Sequence, residues 1–190
     1  MIKKQLCLWM SLFIVLLAGC TTYETVNSPA PSRMTMVTTG DLGFIPPAAK
    51  TFGWHPTMFS VHTANKLNDE ELVRHMRQSI TKIMQQKGYA YVSESPSILV
   101  GFGMALESEM SDKEIMEKAG LVAGLSTNGV DDEYEKGSVL VALFTPLRQD
   151  PIWRVLAQGF TDTGKKIDDR EQRFDILTTR MLHAVPNHSM

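Results

Sequence analysis

Apolar positions along this chain fall into three regimes: a continuous run at the start, a long stretch without period, and a region of alternating and helical patterns. The run spans Leu6 to Leu17, behind Lys3 and Lys4. A bilayer-spanning helix needs about 20 apolar residues, so the run is too short for one and has the form of an export signal. From Thr21 to about Ala49 the chain is rich in Thr, Ser, Pro, Gly and Met, and Pro29, Pro31, Pro46 and Pro47 argue against regular structure. The pattern predicts a flexible tether over 20–48, with a mean reach of roughly 30 Å, and a single domain over 49–190. Residues 42–45 are the part of the tether best suited to dock on that domain.

Within the domain, residues 50–54 alternate small or polar with bulky residues and read as a first strand, ended by Pro56. Asn68 and Glu71 form an Asn version of the capping box. Leu72, Val73, Met76, Ile80, Ile83 and Met84 then recur at three- and four-residue steps, which predicts an amphipathic helix. Asp69, Glu70 and Glu71 suit its positive end, Lys82 and Lys87 the other, and Gly88 the left-handed exit. Residues 89–92 read as a short strand. Ile98, Val100, Phe102, Met104 and Leu106 line one face of the next, opposite Leu99, Gly101, Gly103 and Ala105. Ser111 and Glu114 open a short helix through Ile115, Met116 and Ala119. Strands over 138–145 and 152–160 flank an Arg148–Pro151 turn. Asp169 and Gln172 cap a last helix whose apolar face is Phe174, Leu177, Met181, Leu182 and Val185, stopped by Pro186. The element order predicts an α+β fold: a mostly antiparallel sheet of about five strands, two long helices on one face and one short helix.

The run at the start ends in Leu16-Leu17-Ala18-Gly19-Cys20. Small Ala18 and Gly19 supply a peptidase site, so residues 1–19 form the signal peptide. The string resembles the bacterial lipobox, which implies cleavage before Cys20 and acylation of its thiol, palmitate being the type of chain added. Each buried methylene contributes about 0.8 kcal/mol, so several chains on one cysteine make release negligible. Thr21 stands where lipoproteins kept at the inner membrane carry Asp, which favours the outer membrane, with the domain facing the periplasm.

Composition narrows the chemistry. The chain of 190 residues carries a formal charge of −2. Loss of Lys3 and Lys4 takes it to −4 and leaves no basic block for nucleic acid. Of the two cysteines, Cys7 leaves with the signal and Cys20 carries lipid, so the domain has no thiol for a disulfide, a nucleophile or a metal.

Several strings resemble the bacterial lipoprotein family catalogued as domain of unknown function 4136. They are Lys50-Thr51-Phe52-Gly53-Trp54, Lys87-Gly88-Tyr89 with Ser97-Ile98-Leu99-Val100, Gly137-Ser138-Val139-Leu140-Val141, Trp153-Arg154, and the end from Arg180 to Pro186. The likeness covers roughly 45–186. Ser97 stands where the family pattern leads one to expect an acidic residue, and 120–135 is longer and more apolar. The resemblance implies the fold and an envelope location and carries no catalytic residues.

Candidate chemistry is sparse. Gly101-Phe102-Gly103 lacks a third glycine and sits inside a strand, so it reads as a site of close helix packing, not a dinucleotide fingerprint. His55 and His62 lack ligand spacing and read as solvent-exposed, and His75 as the edge of its helix stripe. Asp131, Asp132 and Glu133 read as a solvated acidic loop, since a hard cation needs several converging oxygens. Asp168, Asp169, Arg170 and Glu171 read as cap and surface charge. No catalytic residue, metal site or cofactor is expected. Residues 110–129 are apolar and glycine-hinged: either Met110, Met116, Leu121, Val122 and Leu125 form an adaptable contact surface for a partner, or the segment folds back as core. The expectation is a non-enzymatic binding or scaffolding lipoprotein, held to the membrane by its N-terminal lipid, with an envelope protein, peptidoglycan or lipid as partner and no nucleic acid. The alternatives are an envelope hydrolase or transferase with converging carboxylates of raised pKa, or a purely structural lipoprotein.

Overall fold

The computed structural model describes residues 33–63, 69–121, 124–162 and 168–188, so the signal run, Cys20, Asn68 and Val122 lie outside the described residues. In chain order the elements are β1 (Met34–Gly40), a 3-10 turn (Leu42–Phe44), β2 (Thr51–His62), α1 (Asp69–Gln86), β3 (Ala90–Tyr91), β4 (Ile98–Leu106), α2 (Asp112–Ala119), β5 (Tyr134–Phe144), β6 (Trp153–Asp162) and α3 (Asp168–Met181). The fold is α+β, as expected. The sheet differs from the expectation: it has six strands in the order β1-β6-β5-β4-β2-β3 and is mixed. β1, β6, β5 and β4 pair antiparallel, whereas β2 pairs parallel with both β4 and β3. The parallel pairs follow from α1, a crossover that returns the chain to the end of the sheet where β2 began.

α1 and α3 cover one face together. Leu72, Met76, Ile80, Ile83 and Met84 of α1 are buried with Met181, Leu182 and Val185 against Phe52, Ile98, Val100, Phe102, Val141, Leu143, Trp153 and Val155. Five of the six apolar positions read from spacing on α1, and the last three read for the final helix, are thus buried; Val73 is half-buried. Thr178 interrupts the α3 face yet is fully buried, because its hydroxyl donates to the Phe174 carbonyl one turn back (2.8 Å).

Two segments depart from the sequence reading. The described part of the expected tether, 33–48, is built into the domain: β1 pairs with β6 along seven residues, and Ile45 and Ala49 are buried in the main core. β1 escaped notice because its residues are half-buried or exposed and largely polar, as an edge strand allows. β2 runs past Pro56 to His62, since the register shifts between Trp54 and Phe59 and the proline stands in that irregularity, where no ladder donor is needed. At the head of β2, Thr51 Oγ1 lies 3.0 Å from Ser97 Oγ and accepts from the Ser97 N–H (3.0 Å), tying the entrances of β2 and β4 together.

Candidate functional site

The second face of the sheet holds the segment that sequence reading singled out. Ser111 accepts from the Glu114 N–H, and the Ser111 N–H donates to the Glu114 carboxylate (2.9 Å), so the capping box is formed as expected. Gly120, left-handed at φ 64°, closes α2. Below the helix, Ile115, Ala119 and Leu121 pack on Leu156 of β6, with Val37, Met110 and Leu140 around them.

Beside this apolar patch lies a polar cluster. In β5, Lys136 and Ser138 share a face with Leu140 by strand alternation. Gln158 of β6, 1% exposed, donates to Asp112 Oδ1 (2.7 Å) and Ser138 Oγ (3.0 Å) and accepts from the Leu125 N–H (3.2 Å). Lys136 Nζ is 2.8 Å from both Asp112 Oδ2 and Glu107 Oε1. Arg154 donates to the Ala119 carbonyl (2.6 Å), and Arg33 to those of Ser126 (2.7 Å) and Asn128 (3.1 Å). The bonds to Asp112, Leu125, Ala119, Ser126 and Asn128 fix α2 and the loop behind it, while Gln158–Ser138 and Lys136–Glu107 tie the floor beneath together.

The electrostatics fit a clamp. Burial pushes the Lys136 amine down, but the bonds and charges of Asp112 and Glu107 outweigh it and hold the amine above its ordinary value. A catalytic lysine needs the opposite shift. The Glu114 carboxyl is lowered by the Ser111 backbone and hydroxyl, and the Asp175 carboxyl by Lys82 and Ser79. Both shifts run opposite to those of a general acid.

The expected contact residues do not share one open surface. Leu121 and Leu125 are buried and Met110 is half-buried, while Met116 on the outer side of α2 is 43% exposed. The described members therefore fold back as core, Met116 excepted, because β5 and β6 offer them an apolar floor.

The other candidates are dispersed. His55 is half-buried rather than solvent-exposed: its ring lies 4.5 Å from that of Phe144, and Nδ1 accepts from the Thr57 and Met58 N–H groups (3.3 and 3.2 Å). His62 is half-buried also. His75 is buried, with Nε2 3.6 Å from Glu71 Oε1. Gly101 is covered by a strand side chain, not by a helix; a Cβ there would sit 2.7 Å from Met58 Cβ. Asp131, Asp132 and Glu133 are exposed. Among the described residues no three His, Cys, Asp or Glu side chains converge as a metal site. A shallow cleft between α1 and α3 is lined by Lys82, Ile83, Gln86, Asp175, Ile176 and Arg180, with Lys82 Nζ 2.6 Å from Asp175 Oδ2 across it. Sequence reading missed the Lys136–Gln158 cluster; its signal was polar residues alternating with small or apolar ones in two adjacent strands.

The solved structures that resemble the chain are distant. A point variant of PelC from Paraburkholderia phytofirmans, crystallised as a dodecamer, is 10% identical over 83% of this chain and 100% of that one, with a TM-score of 0.48. A second crystal form of the PelC dodecamer gives 8% identity, the same coverage and a TM-score of 0.49. A PDZ domain protein from Parabacteroides distasonis is 12% identical over 85% of this chain and 36% of its own, with a TM-score of 0.45. No curated protein sequence matches the chain. A family model does match, from residue 46, just after β1 and the 3-10 turn, to residue 187, beyond the last helix. That span takes in β2 to β6 and all three helices, and the chain belongs to the family defined by the domain of unknown function DUF4136.

Proposed function

We propose that the protein is a lipid-anchored lipoprotein of the cell envelope, attached through Cys20 to the outer membrane, facing the periplasm, and acting as a binding or scaffolding module rather than an enzyme. The observation that carries this reading is the Leu16-Leu17-Ala18-Gly19-Cys20 string behind a short apolar run and two lysines. The rest of the chain supports it. No cysteine follows Cys20, and the buried Lys136, Gln158 and Ser138 are engaged in fixing α2 and its loop. Within 110–129 the contact offered to an envelope partner is Met116, on the outer side of α2.

The test is metabolic labelling with radioactive palmitate in cells producing the full chain, followed by membrane fractionation. The expected result is a labelled band in the outer-membrane fraction that loses its label in Cys20→Ser. An unlabelled mature protein, or one whose N-terminus is not Cys20, would overturn the anchor. Photocrosslinking from position 116 in the same cells addresses the partner: a defined adduct supports the binding module, and monomer alone removes Met116 from it.

A further inference from the structure

β1 closes one end of the sheet, and among the described residues no strand pairs with its outer edge. The Asp41 N–H donates to the Ile152 carbonyl (2.8 Å), and the register pairs Gly40 with Trp153. Asp41 and Ile152 share that single bond, since the Ile152 N–H donates to the Leu143 carbonyl (2.8 Å), and by alternation Thr39, Val37 and Thr35 turn their backbone groups toward β6. Met34, Met36 and Thr38 turn theirs outward, and among the described residues no backbone group meets them. Natural edges are blunted by shortness, charge or proline. β3, at the other end, is two residues long. β1 is seven, Met-Thr-Met-Val-Thr-Thr-Gly, with neither charge nor proline.

We propose that the edge of β1 is the docking site for β1 of a second copy of this chain, the two strands pairing antiparallel about a dyad at Met36. That register sets Met36 against Met36, Met34 against Thr38 and Thr35 against Val37 of the other copy. The outward groups of Met34, Met36 and Thr38 all find partners, and two six-stranded sheets become one of twelve strands. Every side chain brought together is neutral, so no charge is buried. The dyad also brings the two Met34 residues within about 14 Å of each other. The two chains thus enter at opposite ends of a short seam. Cys20 lies thirteen residues upstream of Arg33, so two copies anchored in one bilayer leaflet meet at raised local concentration. The pairing geometry itself does not rest on the lipid.

Cysteine crosslinking of the full chain in cell membranes tests it. Cα atoms of a hydrogen-bonded antiparallel pair lie about 5.5 Å apart, within disulfide reach. Under copper–phenanthroline and air, Met36→Cys is expected to shift most of the protein to twice its mass. The double variant Met34→Cys, Thr38→Cys should do the same if position 36 disturbs folding. Adding Thr38→Pro, which removes an outward N–H and leaves the bonds to β6 intact, should cut the dimer at least tenfold. The parent chain and Leu147→Cys, at the fully exposed tip of the β5–β6 turn, should stay monomeric. The proposal fails if both designed variants remain monomeric or if Leu147→Cys dimerises equally. It also fails if Met36→Cys links to another protein, or to Ser28→Cys of its own chain. Dimerisation of the parent chain would instead report a free Cys20 thiol, and so a failure of the anchor reading.

Discussion

Lys87 Nζ donates to the Val185 carbonyl at 2.7 Å, joining the exit of α1 to the tail of α3 across almost a hundred residues. It reaches the His183 carbonyl and Asn187 Oδ1 as well (both 3.2 Å), and its own carbonyl accepts from the His188 N–H (2.7 Å). The Lys87-Gly88-Tyr89 string is therefore a corner built around the chain's C-terminal turn. Gly88, at φ 91°, would place a Cβ 2.1 Å from the His188 carbonyl, and the Tyr89 ring stands edge-on to that of His188 at 4.7 Å.

Lys87→Met should lower the unfolding free energy by about 2 kcal/mol, the order expected for hydrogen bonds from a charged group. Gly88→Ala should cost more than about 1 kcal/mol, since φ is wrong for alanine and the clash is with backbone. Urea denaturation followed by tryptophan fluorescence checks both. A change of a few tenths in each would remove the corner from the stability of the fold.

Gln158→Leu should cost about 3 kcal/mol, because it leaves the Leu125 N–H and the Ser138 hydroxyl without their partner in a buried place. The loop over 124–130 should then be cut by protease while α1 and α3 remain protected. Limited proteolysis with mass mapping reads this directly.

The pH limits of stability have named carriers. The Lys136 amine is raised in the folded state by Asp112 and Glu107, so its contribution is full below its ordinary 10.5 and lost as pH rises through the folded value. Asp175 is lowered by Lys82 and Ser79, so its contribution is full above the ordinary 3.8 and lost as pH falls through the folded value. In thermal melts across pH, Lys136→Met should flatten the alkaline limb and Asp175→Asn the acid limb. Parallel curves for variant and parent would refute the assignment.

Removing 110–129 should unfold or aggregate the domain. It strips Ile115, Ala119 and Leu121 from Leu156 and leaves Lys136 without Asp112. Met116→Asp, by contrast, should leave the melting temperature within about a degree, because the side chain stands on the outer side of α2. Circular dichroism of the two variants checks the contrast.

Sequence alone carried much of this fold. The period of Leu72, Met76, Ile80 and Ile83 announced α1, the Ser111–Glu114 box announced α2, and the alternation from Ile98 to Leu106 gave β4 its buried face. β1 was hidden because an edge strand buries too little to impose alternation, and Pro29, Pro31, Pro46 and Pro47 around it gave the stretch the look of a linker. The parallel pairing of β2 with β4 was hidden because strand patterns do not record direction; only the crossover through α1 fixes it. The segment over 110–129 was half legible: its apolar character was plain, but the surface it covers is made of Leu140 and Leu156, on strands far along the chain. Lys136 fell just ahead of the expected strand, so its place beneath α2 could not be read.

Arg33 sits where the chain enters the domain, its guanidinium on the Ser126 and Asn128 carbonyls and 5.3 Å from the centre of the Phe160 ring. Tension arriving along the upstream chain meets that clasp before it meets β1. Once the clasp slips, a pull along the strand axis loads the β1–β6 ladder in shear, with its bonds sharing the force, whereas a pull across the sheet opens them one at a time. The domain is thus a mechanical element whose resistance depends on the direction of the load, and the β1–β6 seam is the first that a pull on the upstream chain reaches.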